Sequence, residues 1–359
     1  MTEQDFIPKP YIELPNNGAV SYQSPSNIAL VKYWGKHGEQ LPENASISFT
    51  LSNCHTQTEL LFEEKAGTEF EFEVYLDGNK EVSFEPKIHS FFERVEPYLP
   101  FLRKYMFVIK TSNSFPHSSG IASSASGMSA LALCLLTVER SMTEGGMGED
   151  YFNKKASFLA RLGSGSASRS IEGPLVVWGN HPNIEGSTDL YGIKFAGAVH
   201  ENFTNYQDTI LLVDKGEKQV SSTVGHNLMH NHPYAQQRFI AANDNLSKLV
   251  AIIESGNLSA FIEIVESEAL QLHSMMMSSM PYFILMKPNT LEIINRIWAF
   301  RKETKSNLCF TLDAGANVHV LYPNSEKNSV LSFIETELAP FCKNGEFITD
   351  EAGFGAVKL

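Results

Sequence analysis

The sequence predicts an α+β protein folded as two lobes, and three observations lead there. Strand-like alternation and helical periodicity are interleaved in both halves of the chain instead of being segregated. A polar stretch carrying proline and glycine, residues 180–192, falls near the middle and marks a boundary, giving lobes of 1–190 and 191–359. The chain has 359 residues, 43% hydrophobic and 19% charged, which suffices for two ordinary cores and excludes wholesale disorder.

The elements run in order along the chain. After an extended lead with Pro8, Pro10 and Pro15, residues 26–36 read as a strand with Lys32 emerging at its end, or as a helix with Lys32 and Lys36 on one face. Residues 59–76 show strand alternation, with Phe70, Phe72 and Val74 set against Glu69, Glu71 and Glu73, and Asp77-Gly78 supplies a hairpin turn. Residues 105–110 form a strand that runs into a serine- and glycine-rich loop. A helix begins at about Ser123 and continues to about Glu139, supported by Ala125, Ala130, Leu131 and Leu135. A second such loop, 163–170, precedes a strand over 174–178. Beyond the boundary come a strand at 209–213, helical stretches at 235–265 and 291–300, and strands at 308–312 and 318–322 bracketing a glycine-containing turn.

Charge and cysteine usage narrow the function. Forty-one acidic against 28 basic residues give a net charge of −13, the wrong sign for a nucleic-acid or anionic-membrane partner. The longest apolar stretch, residues 128–138, is far below the roughly 18 residues of a membrane span. The first twenty residues lack the basic start and apolar run of a signal peptide. Cys54, Cys134, Cys309 and Cys342 form no C-x-x-C pair, so a reduced, cytoplasmic protein is expected.

Against that acidic balance, two loops look built for phosphate. Residues 111–129 read TSNSFPHSSGIASSASGMS and open a helix, whose N-terminal N–H groups and dipole favour an anion. Small side chains admit phosphates to the backbone, and serine hydroxyls can donate to them or meet magnesium. The bland alternative is a serine cap or a linker, and no G-K-[ST] makes it a Walker loop. The second loop, Gly163-Ser164-Gly165-Ser166-Ala167-Ser168-Arg169-Ser170, ends in a guanidinium suited to carboxylate or phosphate. Asp313, in the small-residue turn Thr311-Leu312-Asp313-Ala314-Gly315-Ala316-Asn317, is a turn carboxylate or, aimed into a cleft, a general base. His226 and His230 have i,i+4 spacing without an H-E-x-x-H pattern and, with His232, read as polar-turn residues more readily than as a zinc site. The run Met275-Met276-Met277 reads as core filler.

These segments, in this order, resemble the GHMP kinase superfamily and, within it, the mevalonate diphosphate decarboxylase family. NIALVKYWGK at 27–36, NSFPHSSGIASSASG at 113–127, GSGSASRS at 163–170 and DAGANVHV at 313–320 carry the resemblance, with KQVSST at 218–223 as a weaker fifth segment. The resemblance implies the two-lobed GHMP kinase fold: an N-terminal lobe like ribosomal protein S5 domain 2, and an α/β-sandwich C-terminal lobe, with the site between them. It implies ATP- and Mg2+-dependent decarboxylation of a phosphorylated mevalonate to isopentenyl diphosphate, by a homodimer. By motif position, Ser119, Gly120, Ala122, Ser123 and Ser124 would bind the ATP phosphates, with Ser123 or Ser124 meeting the metal. Tyr33, Lys36, Ser164 and Ser166 would hold the substrate, Arg169 its carboxylate, and Lys32 and Asp313 would form the reacting pair.

Two positions depart from the family pattern. Glu73 stands where the family has an arginine before the hairpin, and His226 where it has a methionine. Both are associated with the substrate's diphosphate end. Either the terminal phosphate is held differently here or the substrate carries one phosphate.

Overall fold

The computed structural model describes residues 1–116, 121–214 and 222–359; within 222–359, the side chains of Ser222 and Thr223 are excepted. Its first half is organised by two long strands, β1 (Asn17–Val31) and β2 (Ser46–Glu64), paired antiparallel from Asn17↔Glu63 to Val31↔Ile47. Register shifts between Pro25 and Asn27 and between Ala29 and Val31 kink β1, as a bulge does, and re-aim the residues at its end. Residues 26–36 are therefore strand to Val31, a short loop, and at Lys36 the start of a two-residue strand paired with Leu41 and Pro42, so Lys32 and Lys36 share no helical face. The expected strand over 59–76 is two strands. Gly67, at φ +114°, turns the chain between β2 and β3 (Glu71–Leu76). Asp77 and Gly78, both at positive φ, make the expected hairpin turn back to Asn79 and Lys80.

Helix α1 (Glu85–Val95) comes next, and β4 (Tyr105–Asn113) pairs antiparallel with β2 and parallel with β3. Helices α2 (Ser123–Met142) and α3 (Glu149–Gly163) then cover the sheet, and β5 (Leu175–Trp178) adds to the other end of β2. The sheet has eight strands, counting the short pieces. Between it and α1–α3 lies a core including Phe91, Phe92, Leu102, Phe107, Leu131 and Leu135. Each such side chain contributes roughly 1.5–3 kcal/mol by leaving water.

The second half holds a four-stranded antiparallel sheet in the order β7 (Cys309–Thr311), β8 (Val318–Tyr322), β6 (Gln207–Leu211), β9 (Phe347–Glu351). Around it are a short helix α4 (Ser222–Asn227), then α5 (Ala235–Ser255), α6 (Leu258–Met277), α7 (Pro288–Thr304) and α8 (Lys327–Phe333). The single helical stretch expected over 235–265 is broken at Gly256, φ +75°, and restarted by Asn257, whose side chain accepts from the Ala260 N–H. A second core, including Ile28, Ile47, Leu246 and Phe261, joins the end of the first sheet to α5 and α6. Asp350, 3% exposed, fastens the two sheets: its carboxylate accepts from the N–H groups of Ser52, Asn53 and Cys54 at 2.8, 2.8 and 2.7 Å.

Candidate active site

The last residues of β1, Ile28 to Val31, are buried on both faces, so the strand delivers Lys32 into the interior at 1% exposure. Its main chain is held on both sides. The Lys32 N–H donates to Glu268 Oε2 at 2.8 Å, and its carbonyl accepts from Asn44 Nδ2 at 3.0 Å and Arg238 Nη2 at 3.4 Å. Arg238 also donates to both oxygens of Glu268, at 2.6 and 3.2 Å, and Asn245 Nδ2 donates to Oε1 at 2.7 Å. The Lys32 ammonium lies 3.0 Å from Asp313 Oδ1. Burial pushes the lysine pKa down, and the neighbouring carboxylate opposes it by charge and hydrogen bond.

Asp313 sits in the turn after β7. Its carbonyl accepts from Gly315 N–H at 2.7 Å and from His273 Nε2 at 3.1 Å, so the main chain is pinned while the carboxylate reaches into the cleft. His273, on α6, is 1% exposed, and burial pushes its pKa down to about 4.

The two hydroxyl-rich loops meet. Ala122, in the left-handed region at φ 45°, ψ 37°, turns the chain into α2, and Ser26 Oγ ties the loop to β1 by donating to the Ile121 carbonyl at 2.7 Å. Ser123 and Ser124 are the first residues of α2, where backbone N–H groups have no acceptor within the helix and the dipole favours an anion. Ser119 and Gly120 lie outside the described residues, as does most of 218–223. Ser124 Oγ is 3.4 Å from Ser164 Oγ, which is 3.5 Å from Ser166 Oγ. Gly165 is required between those serines, because a Cβ there would lie 2.8 Å from both Trp178 and the Tyr33 hydroxyl. Arg169 is 3% exposed, donating through Nε to Asn27 Oδ1 at 3.3 Å and through Nη1 to Ser46 Oγ, with its guanidinium 5.8 Å from the Trp178 ring. Burial pushes its pKa to about 10, so it stays charged at neutral pH.

Lys32, Tyr33, Lys36, Ala122, Ser124, Ser164, Ser166, Arg169 and Asp313 all line one cleft of about 550 Å3. Tyr33 packs edge-on to Trp178 at 4.7 Å, its phenol pushed up by burial, and Lys36 donates to Gln40 Oε1 at 2.9 Å. A second, more apolar cavity of about 260 Å3, bounded by Val74, Leu76, Phe84, Ile109, Met128 and Leu131, joins the first at Ser124 and Lys87 and also takes in Ser123.

Several cleft residues carry no motif that would mark them in the sequence. Lys87, Ser90 and Arg94 of α1 add two cations to the wall. Their i, i+3, i+7 spacing on a helix with buried Ile88, Phe91, Phe92 and Val95 was the available signal. Glu268 and Arg238 were signalled only as charges inside apolar helical runs. Glu73 is not in the cleft. It pairs on the outer face of β3 with Lys80 Nζ at 2.7 Å and the Tyr75 hydroxyl at 2.9 Å, and borders a different groove. His226 is in the cleft wall. His226, His230 and His232 do not converge on a shared ion: their rings meet Gly35, Lys36 and Met275 main-chain atoms, and the described residues contain no metal-binding cluster. Met275 and Met276 pack with Trp34 and Phe239 in a small core, while Met277 is 43% exposed.

Two family models match the chain: a diphosphomevalonate decarboxylase-like N-terminal domain over residues 24–189 and a mevalonate 5-diphosphate decarboxylase C-terminal domain over residues 209–354. The diphosphomevalonate decarboxylase of Eremothecium gossypii is 29% identical over 87% of this chain and 79% of its own length. That of Bos taurus is 26% identical over 92% of this chain and 83% of its own length. The crystal structure of mevalonate diphosphate decarboxylase from Staphylococcus aureus has a TM-score of 0.81 at 26% identity, covering 96% of this chain and 98% of that one. A structure of MDDEF in complex with MVAPP, AMPPCP and magnesium has the same TM-score and identity, covering 96% of this chain and 99% of that one.

Proposed function

The chain belongs to the diphosphomevalonate decarboxylase family, and on that premise we propose that it converts mevalonate 5-diphosphate and ATP to isopentenyl diphosphate, ADP, phosphate and carbon dioxide. The observation that carries this reading is the Lys32–Asp313 pair, 3.0 Å apart in a cleft that also holds Arg169.

A tertiary 3-hydroxyl is a weak nucleophile and a worse leaving group. Asp313 takes the hydroxyl proton as the oxygen attacks the γ-phosphorus of ATP and ADP departs. Lys32 offsets the negative charge on the transferring phosphoryl group. The C3–O bond then breaks with loss of phosphate, the C1–C2 bond releases carbon dioxide, and its electron pair becomes the C2=C3 double bond. Arg169, fixed by Asn27 and Ser46, clamps the carboxylate until it leaves. Tyr33, Lys36, Ser164 and Ser166 hold the rest of the substrate, and Ala122, Ser123 and Ser124 with Ser119 and Gly120 receive the ATP phosphates. The apolar cavity beside Ser123 and Ser124 suits the base of the nucleotide.

The described residues offer hydroxyls and one cleft carboxylate and no preformed metal cluster, which fits an ion that arrives with the nucleotide. Ser123 or Ser124 would hold Mg2+, which supplies positive charge to the phosphates.

We place the lobe boundary at 190/191, supported by the polar stretch 180–192 and by the family match that ends at residue 189. We place the protein in the cytoplasm, where four free, buried thiols stay reduced, and infer a homodimer from the family resemblance. Following ADP and carbon dioxide together with mevalonate, its 5-phosphate and its 5-diphosphate tests the reaction. Equal yields of ADP and carbon dioxide, with the highest kcat/KM on the diphosphate, are expected. ADP release without carbon dioxide would overturn decarboxylation.

A further inference from the structure

The proline-bearing lead before β1 precedes residue 24, where the family match begins, yet it is packed along its length. Phe6 is fully buried, stacked on Phe158 of α3 at 4.5 Å and edge-on to Tyr191 at 5.9 Å. The Tyr151 hydroxyl donates to the Asp5 carbonyl at 3.0 Å, the Ile12 N–H to the Met142 carbonyl at 3.1 Å, and the Tyr105 hydroxyl to the Pro15 carbonyl at 2.7 Å. Burial of Phe6, worth roughly 1.5–3 kcal/mol, offsets part of the entropy lost in ordering the lead. The anchored lead places a carboxylate: Glu3, 47% exposed, has Oε1 3.5 Å from Nη2 of Arg161.

Arg161, near the end of α3, is fully buried, and Glu3 is its only ion-pair partner among the described residues. Burial pushes its pKa down to about 10, which leaves it charged at neutral pH. Its Nε donates to the Leu190 carbonyl at 2.8 Å and its Nη1 to the Glu39 carbonyl. Glu39 is at the tip of the small hairpin that pairs Lys36 with Pro42 and His37 with Leu41. Arg94 of α1 holds the Glu39 carboxylate from the other side, with Nε at 3.3 Å. The hairpin puts Lys36 and Gln40 into the cleft wall. Burial and the like charge of Arg94 both act against the Lys36 ammonium there, and Glu39 opposes them. A ladder of two residue pairs is too short to hold such a piece by itself.

We propose that Arg161 is a positioning residue that holds the 36–42 hairpin against the cleft, so that Lys36 meets the substrate, and that Glu3 of the N-terminal lead is the counter-charge that keeps Arg161 in place. The effect on the substrate rests on reading the cleft as the site of mevalonate 5-diphosphate. Glu3→Gln keeps the size of the side chain and its acceptor for the Tyr98 hydroxyl, and removes the charge. Tyr11→Phe is the control. It loosens the same lead at another anchor, the hydrogen bond from the Tyr11 hydroxyl to Glu139 Oε1 at 3.1 Å, without touching Arg161.

Hydrogen exchange followed by mass spectrometry reads the amides of residues 36–43 in the ligand-free wild type and both variants. Calorimetry reads the dissociation constant for mevalonate 5-diphosphate, and thermal melting confirms that each protein is folded. Glu3→Gln is expected to speed exchange over 36–43 and to raise the dissociation constant about fivefold, the reach of a half-exposed ion pair. Tyr11→Phe is expected to leave both as in the wild type. Unchanged exchange over 36–43, unchanged affinity, or equal changes in the two variants overturns the proposal. Wild-type protein that does not bind mevalonate 5-diphosphate would refute the assigned substrate, while exchange over 36–43 would still decide whether Glu3 and Arg161 hold the hairpin.

Discussion

At the scale of single residues, Lys32 and Asp313 act as a unit that burial has tuned. A lysine at 1% exposure is costly to keep charged, and the carboxylate at 3.0 Å is what offsets that cost. The carboxylate in turn has its main chain fixed by His273 and Gly315, so it enters the cleft from a rigid turn. Asp313→Asn keeps the size and removes the proton acceptor. Turnover is expected to fall by about 10^2- to 10^4-fold, with nucleotide affinity largely unchanged. Product release by the variant at near wild-type rate would remove Asp313 from the mechanism. Both residues of this pair were legible in the sequence, because each lies in a short motif. Their distance was not: they are far apart along the chain, and only packing of β7 and α6 against the end of β1 brings them together.

At the scale of elements, the placing of Lys32 depends on a network between helices. Glu268 on α6 accepts from the Lys32 N–H and from Arg238 on α5, and Arg238 also reaches the Lys32 carbonyl. Glu268 is 0% and Arg238 3% exposed, so neither charge has water to fall back on. Glu268→Gln leaves Arg238 as an uncompensated buried cation, which is expected to cost about 3–5 kcal/mol in a urea titration. The same variant should lower kcat, because the main chain bearing Lys32 loses its anchor. An unchanged unfolding midpoint would show that the pair does not hold the helices. This network had no sequence signature beyond charges in apolar helical runs, because helical periodicity reveals which face is buried and not what that face meets. The same limit applies to Lys87, Ser90 and Arg94, whose shared face was readable while its direction into the cleft was not. The breaks at Gly67 and Gly256 were equally hidden, because flanking alternation and apolar periodicity continue across a short turn.

At the scale of the whole molecule, net charge and local charge diverge. The chain carries −13 overall, yet the cleft gathers Lys32, Lys36, Lys87, Arg94 and Arg169. The acidic excess is carried elsewhere, where it favours solubility, and on the proposed reading serine hydroxyls and helix N–H groups would add to the attraction of anions without formal charge. Proton linkage arises from burial in the same region. Burial pushes His226 down to about 3 and His273 down to about 4, both below the ordinary histidine range. At these two sites the unfolded chain takes up protons near pH 6.5 that the folded chain refuses, so their contribution to stability is full above about pH 6.5 and is lost as pH falls toward 4. His273→Gln removes one of these groups and should flatten the fall by on the order of 1 kcal/mol per pH unit, measured by urea titrations from pH 7 to 4.5. A slope equal to the wild type's would show that His273 is not held neutral.

The sequence by itself determined the fold class, the order of most strands and helices, and the short motifs to which the proposed chemistry is assigned. Those depend on neighbours within a few residues, where periodicity, turn residues and motif spacing act directly. Tertiary structure alone decided that Glu73 faces outward to Lys80 while His226 joins the cleft, and that two hydroxyl-rich loops meet at Ser124 and Ser164. It also decided that Lys32 is gripped through its backbone by Glu268 and Arg238. The physical reason is the same in each case. A side chain's charge state and hydrogen-bond partners are set by what is packed against it, and those partners come from distant stretches of the chain.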